Sequence, residues 1–373
     1  MKIAYDSQIF CAQTYGGVSR YFCEIASRLA QAPGLDVSIA APLYINSYLQ
    51  NLSPGIVTGF RGPGAGRFTS VYPRLFLRGM SLALGDLMLR TQSPDVIHET
   101  YYFPYSLGPR RARRVLTIHD MIHERFPSDF PLGDKTSRYK AVAARRADHV
   151  ICISESTRRD AIELLGLPPE KTSVIHHGFG LMTGGKGDLV GEGPATDKPF
   201  LLYVGNRGGY KNFFRLLEAY ASSPQLRAGF NLVCFGGGAF SAEEHERVAR
   251  LGMTNGHIIQ LGGSDQLLSR LYARASAFVY PSLYEGFGIP PLEAMSHDCP
   301  VVCGMTSSIP EVVGDAGEYF DPVDVVSMRE AIERVVSSES YSKTLIEKGR
   351  VRLGSFSWDR CAEETLCVYR KLF

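Results

Sequence analysis

Twice along this chain, short apolar runs alternate with helical segments, and a glycine-rich break separates the two series. In the first series Lys2 to Phe10, Val37 to Ala41, Asp95 to His98, Val115 to His119, His149 to Ile153 and Ser173 to His176 read as strands. In the second, Phe200 to Gly205, Asn231 to Phe235, His257 to Gly262, Ala275 to Tyr280 and Pro300 to Gly304 do so. Helical periodicity falls between them, as in Val18 to Ala30, where Val18, Phe22, Ile25 and Leu29 share a face. Alternation of this kind means parallel sheets joined by crossover helices. The break, from Gly178 to Lys198, holds six further glycines and few large apolar residues, so it reads as a linker. We therefore expect an α/β protein of two parallel-sheet domains, residues 1–178 and 199–355, joined by a linker at 179–198. Ligands of such a chain belong in the cleft between the halves. Residues 42–66, with Pro54, Gly55, Gly59, Gly62, Pro63, Gly64 and Gly66, read as an irregular loop, and a last helix carries Trp358 to Leu372.

Charge narrows the choice of partners. Residues 1–178 hold 21 Lys+Arg against 15 Asp+Glu, or +6; the remainder holds 19 against 23, or −4. That is compatible with anionic lipid or phosphate and far from the signature of a nucleic-acid binder. The eight cysteines are scattered, with no CxxC pair, as expected of reduced thiols. Met1-Lys2 leads straight into a strand and no run approaches the 18 apolar residues of a membrane span, so we expect neither signal peptide nor spanning helix. Thr69 to Arg90 reads as a long helix with an apolar stripe of Tyr72, Leu75, Phe76, Met80, Leu84, Leu87 and Met88, punctuated by Arg74, Arg78 and Arg90, with Arg67 just ahead. Two readings stay open for it: a core-packed helix, or a helix lying on a membrane surface.

Three stretches carry candidate chemistry. In residues 279–293, an apolar strand end leads into a loop with Glu285, Gly286 and Gly288, and Pro290-Pro291 suit the first turn of a helix. Glu285 then lies in the loop and Glu293 in the first helical turn. Both stand at the carboxyl end of a strand, where open α/β sheets bind ligands, beside a helix start that favours an anion. As bland alternatives, Glu293 merely complements the helix dipole and Glu285 sits in water. Gly16-Gly17, between a first strand and a helix, forms either a phosphate or sugar cradle or a plain tight turn. His119 and His123, four residues apart after a strand, admit a metal pair lacking a placed third ligand, a structural histidine, or a polar contact to a bound ligand.

Glu285 and Glu293, with seven residues between them, resemble the E-x7-E motif of retaining glycosyltransferases of family four. The resemblance extends over nearly the whole chain: the Gly16-Gly17 loop, His119 at a strand end, Ser154-Glu155-Ser156 opening a helix, Tyr203-Val204-Gly205 with Lys211-Asn212, and Ser307-Ser308-Ile309-Pro310-Glu311. It implies the GT-B fold, two Rossmann-like domains facing a cleft, with the final helix, 356–373, packing back on the first. Tyr210-Lys211-Asn212 looks most like bacterial mannosyltransferases of lipopolysaccharide and O-antigen assembly. The resemblance further implies site roles. Lys211 and Arg207 hold the donor diphosphate, Glu293 the nucleotide ribose. Glu285 and the backbone around Phe287 and Gly288 contact the donor sugar, which His119 meets from the acceptor-side first domain. Gly16 and Gly17 let the backbone approach the donor phosphate. Arg207 precedes Lys211 by four, where the family more often has five.

The implied substrates are a nucleotide sugar, with GDP-mannose leading and other GDP- or UDP-sugars open, and a glycan or lipid-linked acceptor. No cofactor and no metal are implied, and the chain lacks an Asp-x-Asp metal motif. A cytoplasmic protein is expected, with peripheral attachment to the inner face of the membrane as an option. A lysine, an arginine and helix N-termini suffice chemically to stabilise a departing diphosphate. Paired acids also serve hydrolases, but Glu293 at a helix start suits ribose hydroxyls better. A nucleotide-sugar epimerase of the same fold and a non-catalytic two-domain sugar-binding protein are the competing readings; product analysis with and without acceptor separates the first, absence of turnover the second.

Overall fold

A computed structural model of the chain describes residues 1–62, 71–180, 198–253 and 256–373, with the side chains of 71–75 excepted. The expected linker lies outside the described residues apart from its ends, as do Pro63, Gly64, Gly66, Arg67 and Thr69. The chain divides into two compact units: Met1–Gly178 with Ser357–Phe373, and Phe179–Phe356.

The first unit is built on seven strands, β1 (Lys2–Tyr5), β2 (Asp36–Tyr44), β3 (Val57–Arg61), β4 (Val96–Glu99), β5 (Arg113–Ile118), β6 (His149–Cys152) and β7 (Thr172–Val174). Their order is β3-β2-β1-β4-β5-β6-β7, all parallel. The order reverses between β1 and β4, the switch point where such sheets open a crevice. Strand β1 ends earlier than expected because the Asp6 carboxylate accepts the Gln8 N–H at 3.2 Å and turns the chain. Strand β3 falls inside the stretch read as irregular. Gly59 disguises it, yet is needed there: its φ is +150° and a Cβ would overlap the Ala41 carbonyl of β2.

The helix Trp358–Arg370 belongs to this first unit. Trp358, Cys361, Ala362, Leu366 and Tyr369 enter the same core as Phe22 and Ile25. Burying each large apolar side chain contributes roughly 1.5–3 kcal/mol. Arg28 pairs with Asp359 at 2.6 Å, and Tyr369 Oη lies 2.6 Å from His98 Nδ1 inside the core.

The long helix Val71–Gln92 packs on the sheet, but not through the apolar stripe read from its periodicity. The face turned to the sheet is Ser81, Gly85 and Leu89, the first two small enough for close approach: Ser81 Oγ donates to the Leu43 carbonyl at 2.8 Å, and a Cβ on Gly85 would sit 3.2 Å from Ser7 Oγ. Phe76, Leu84 and Leu87, assigned by periodicity to the packed stripe, are exposed at 68%, 43% and 58%.

The second unit carries β8 (Phe200–Val204), β9 (Asn231–Phe235), β10 (Ile258–Leu261), β11 (Ala277–Tyr280), β12 (Val301–Gly304) and β13 (Gly317–Phe320). Their order is β10-β9-β8-β11-β12-β13, again parallel throughout. Strand β13 and the helices Val325–Ser337 and Glu339–Leu353 complete this unit beyond the elements read from sequence. Six cysteines are buried, Cys11 is half-buried and Cys367 is exposed; none is bonded to another. No described helix is long and apolar enough to cross a membrane.

Candidate active site

In the second unit, two loops at the carboxyl ends of β8 and β11 meet. Lys211 closes a single 3-10 turn, Gly209–Lys211, after β8. Asn212 follows in the left-handed region, with φ +60°. That conformation costs a non-glycine residue energy, and two hydrogen bonds hold it: Asn212 Nδ2 donates to the Pro281 carbonyl at 2.9 Å and the Pro322 carbonyl at 2.7 Å. The Leu283 N–H donates to the Tyr210 carbonyl at 2.8 Å. The two loops are thus fastened, and the Lys211 ammonium donates to Glu285 Oε1 at 2.7 Å, with the side chains 18% and 10% exposed. Tyr280, beside the pair, is held as a neutral phenol, by burial first and then by the Glu285 charge.

Three consecutive hydroxyls, unassigned on sequence grounds, clamp the Glu285 loop from the far side. Thr306 Oγ1 donates to the Leu283 carbonyl at 2.9 Å. The Glu285 N–H donates to Ser307 Oγ at 2.8 Å. Ser308 Oγ lies 2.9 Å from the Glu285 carbonyl and 2.7 Å from that of Phe287. Ser307 has φ +48°. The available signal was the hydroxyl run Thr306-Ser307-Ser308 itself, directly ahead of Ile309-Pro310.

Gly288, with φ +114°, caps the helix Ile289–Ser296 without a side-chain bond; a Cβ there would both strain the backbone and press to 2.9 Å on Ile309. The helix begins at Ile289, so Glu293 stands past its first turn, not within it as expected. It is neither a surface dipole partner nor fully solvated: it is 8% exposed, and Tyr272 Oη donates to its Oε2 at 3.4 Å. Phe287 is buried, edge-on to Phe356.

Arg207, four residues before Lys211, is engaged within the protein. The guanidinium is 3% exposed and pairs with Glu244 at 2.6 Å. It also donates to the carbonyls of Gly236 at 2.7 Å, Gly238 at 2.9 Å and Ala239 at 3.1 Å. These bonds brace the loop after β9.

In the first unit, His119 follows β5 and is 7% exposed. Its ring stands edge-on to Tyr21 at 5.2 Å and near His177 at 5.6 Å. Among the described residues its Nε2 has no hydrogen-bond partner. Burial first, then His98 and Lys140, lowers its pKa to about 3, so the ring is neutral at working pH. Gly16 precedes the helix Gly17–Leu29, whose start no side chain caps. A Cβ on Gly16 would overlap the Gln13 side chain, whereas one on Gly17 would meet nothing. His123 stacks on Phe130 with centroids 3.7 Å apart. Among the described residues, no three His, Cys, Asp or Glu side chains are grouped to hold a metal ion.

Residues 15–181 match the family model described as Glycosyltransferase Family 4, and residues 190–352 that described as Glycosyl transferases group 1. Over 302 residues the chain is 31% identical to the O-antigen chain mannosyltransferase B of Escherichia coli, covering 76% of each protein. The chain belongs to the family 4 glycosyltransferases. Solved structures similar to this glycosyltransferase include the sucrose-phosphate synthase of Thermosynechococcus elongatus, with TM-score 0.72 and 20% identity over 100% of this chain and 99% of that one. The Anabaena protein HepE in complex with UDP and glucose is similar over the full length of both chains, with TM-score 0.72 and 19% identity. They establish the GT-B fold for this glycosyltransferase: two parallel-sheet α/β domains.

Proposed function

We propose that this glycosyltransferase transfers mannose from GDP-mannose, with retention of configuration and without a metal ion, to a glycan or lipid-linked acceptor in cell-surface polysaccharide synthesis. The observation that carries the reading is the 2.7 Å pair of Lys211 and Glu285 on two fastened loops. The likeness to an O-antigen mannosyltransferase supports the choice of sugar and pathway. Lys211 meets the charge that grows on the departing diphosphate, the kind of preorganised electrostatic contact that lowers a barrier most. Glu285, relieved of its lysine as the donor enters, takes sugar hydroxyls, as does the backbone at Phe287 and Gly288. Glu293 holds the ribose. Neutral His119 is the first unit's contribution to the sugar, and the uncapped helix start behind Gly16 and Gly17 favours the phosphates. The C1–phosphate oxygen bond breaks, the C1–acceptor oxygen bond forms on the same face, and the acceptor's proton passes to the leaving phosphate.

A thermal-shift panel of GDP- and UDP-sugars tests the donor: one at 100 times its Kd stabilises by about 2.7 kcal/mol. The anomeric signal of the product tests retention, and full activity in EDTA tests metal independence. A larger shift from a UDP-sugar, an inverted product, or activity lost to EDTA and restored by Mg²⁺ or Mn²⁺ would each replace the corresponding part. The exposed Phe76, Leu84 and Leu87, with Arg78 on the same helix, favour peripheral contact with an anionic membrane, where a lipid-linked acceptor would reside.

A further inference from the structure

We propose that Lys140 is a positioning residue for His119, setting the turn that presents the histidine to the sugar; this rests on the role given to His119 above. Lys140, on the helix Thr136–Arg146, is 0% exposed. An ammonium group is rarely buried this completely without a paired carboxylate. Its contacts converge on the six residues after β5. It donates to the Asp120 carbonyl at 2.8 Å and to Glu124 Oε2 at 2.8 Å. It also stands 5.2 Å from the ring centroid of Tyr102, whose hydroxyl accepts the His119 N–H at 3.3 Å. One cation therefore reaches the backbone on both sides of His119: the Asp120 carbonyl directly, and the His119 N–H through Tyr102. Asp120 Oδ1 takes the Ile122 N–H at 3.1 Å and lies 3.8 Å from the ammonium, so the turn is braced from within as well.

Stability alone does not call for this arrangement. Exchanging a buried ion pair for neutral groups of similar volume is often without cost, whereas removing one partner leaves a buried charge unpaired. What the lysine supplies is direction: a rigid, three-donor centre that fixes the carbonyl of residue 120 and the ring of Tyr102 together. Its positive charge also adds to the burial that keeps His119 neutral. A displacement of about 1 Å in a group that must meet the reacting sugar can cost about 10²-fold in rate.

The test uses the full chain and the nucleotide sugar that stabilises it most in the GDP- and UDP-sugar panel. The double variant Lys140→Met with Glu124→Gln removes both charges of the 2.8 Å pair; the Asp120 carboxylate, 31% exposed, keeps the Ile122 N–H and solvent as partners. We expect it to melt as a folded protein, to lose about 10- to 100-fold in kcat with little change in donor KM, and to shift the His119 imidazole signals in a ¹H–¹⁵N spectrum. His119→Ala is assayed beside it. A folded double variant with wild-type kcat and unmoved His119 signals, while His119→Ala is inactive, overturns the positioning by Lys140 alone. Wild-type turnover by His119→Ala overturns the role of His119 and, with it, the catalytic consequence proposed for Lys140. Should the double variant fail to fold, Tyr102→Phe, which removes only the hydroxyl that receives the His119 N–H, is read by the same kcat and imidazole signals, with the same two outcomes.

Discussion

Removing Lys211 should do two separable things, one to the fold and one to the reaction. In the free enzyme its ammonium lies 2.7 Å from Glu285, and both side chains are largely buried, at 18% and 10% exposure. Breaking a fully buried pair costs about 3–5 kcal/mol, because the remaining charge stays desolvated. With this residual exposure about 2–3 kcal/mol is the scaled expectation for Lys211→Ala. Glu285→Gln should cost less, since the ammonium that remains can turn toward solvent. The double variant Lys211→Ala with Glu285→Gln leaves no buried charge, so its loss should fall short of the sum by about 1–2 kcal/mol, a coupling of the size seen for side chains in contact. Activity should not recover in parallel. Loss of one preorganised electrostatic group costs about 10²–10³ in kcat, and the double variant still lacks it. Denaturant melts of the four proteins give the stability cycle, and steady-state release of nucleotide diphosphate gives kcat. Additive stability losses together with near-wild-type kcat in Lys211→Ala would refute both the pair's coupling and the lysine's role at the leaving group.

Four further outcomes are expected. Glu293→Gln should raise donor KM more than it lowers kcat, because a ribose contact is equal in ground and transition states; a pure loss of kcat would move Glu293 to the sugar. Tyr369→Phe removes the hydroxyl 2.6 Å from buried His98 Nδ1, and the melt should record a loss of about 1–3 kcal/mol; an unchanged melt would mean the ring nitrogen finds another partner. Burial holds the pKa of His98 and His119 at about 3 in the fold against 6.5 unfolded, so between those values the unfolded chain binds more protons and stability falls as pH falls. From pH 7 to 5 the linkage is about 2 kcal/mol for each histidine; equal melting at the two pH values would refute their burial as neutral rings. Binding to liposomes should rise with anionic lipid, fall with salt, and drop when Phe76, Leu84 and Leu87 are changed to Ser; equal binding to neutral and anionic vesicles would leave the exposed face without a membrane role.

What could be read from the sequence, and what could not, divides by how far each cause lies from its effect along the chain. Central parallel strands are covered on both faces and so read as unbroken apolar runs; Ala277–Tyr280 and Val301–Gly304 are buried at every residue and were legible. The edge strands Val57–Arg61 and Gly317–Phe320 are only partly covered, and their residues Thr58, Gly59 and Glu318 break the pattern. For the long helix, periodicity identified an apolar face, but the sheet accepts its small face instead, because Ser81 and Gly85 permit an approach that Leu84 and Leu87 do not. The site shows the same division more sharply. Lys211 and Arg207 are cations four residues apart on one loop, and nothing local distinguishes them. Arg207 turns inward because Glu244, 37 residues later, starts a helix where the loop after β9 exposes a ring of carbonyls. Lys211 meets Glu285 because Asn212, held by the carbonyls of Pro281 and Pro322, accepts a left-handed backbone at that point. Residue types therefore marked where charge would gather, while partners tens of residues away decided which cation meets Glu244 and which meets Glu285.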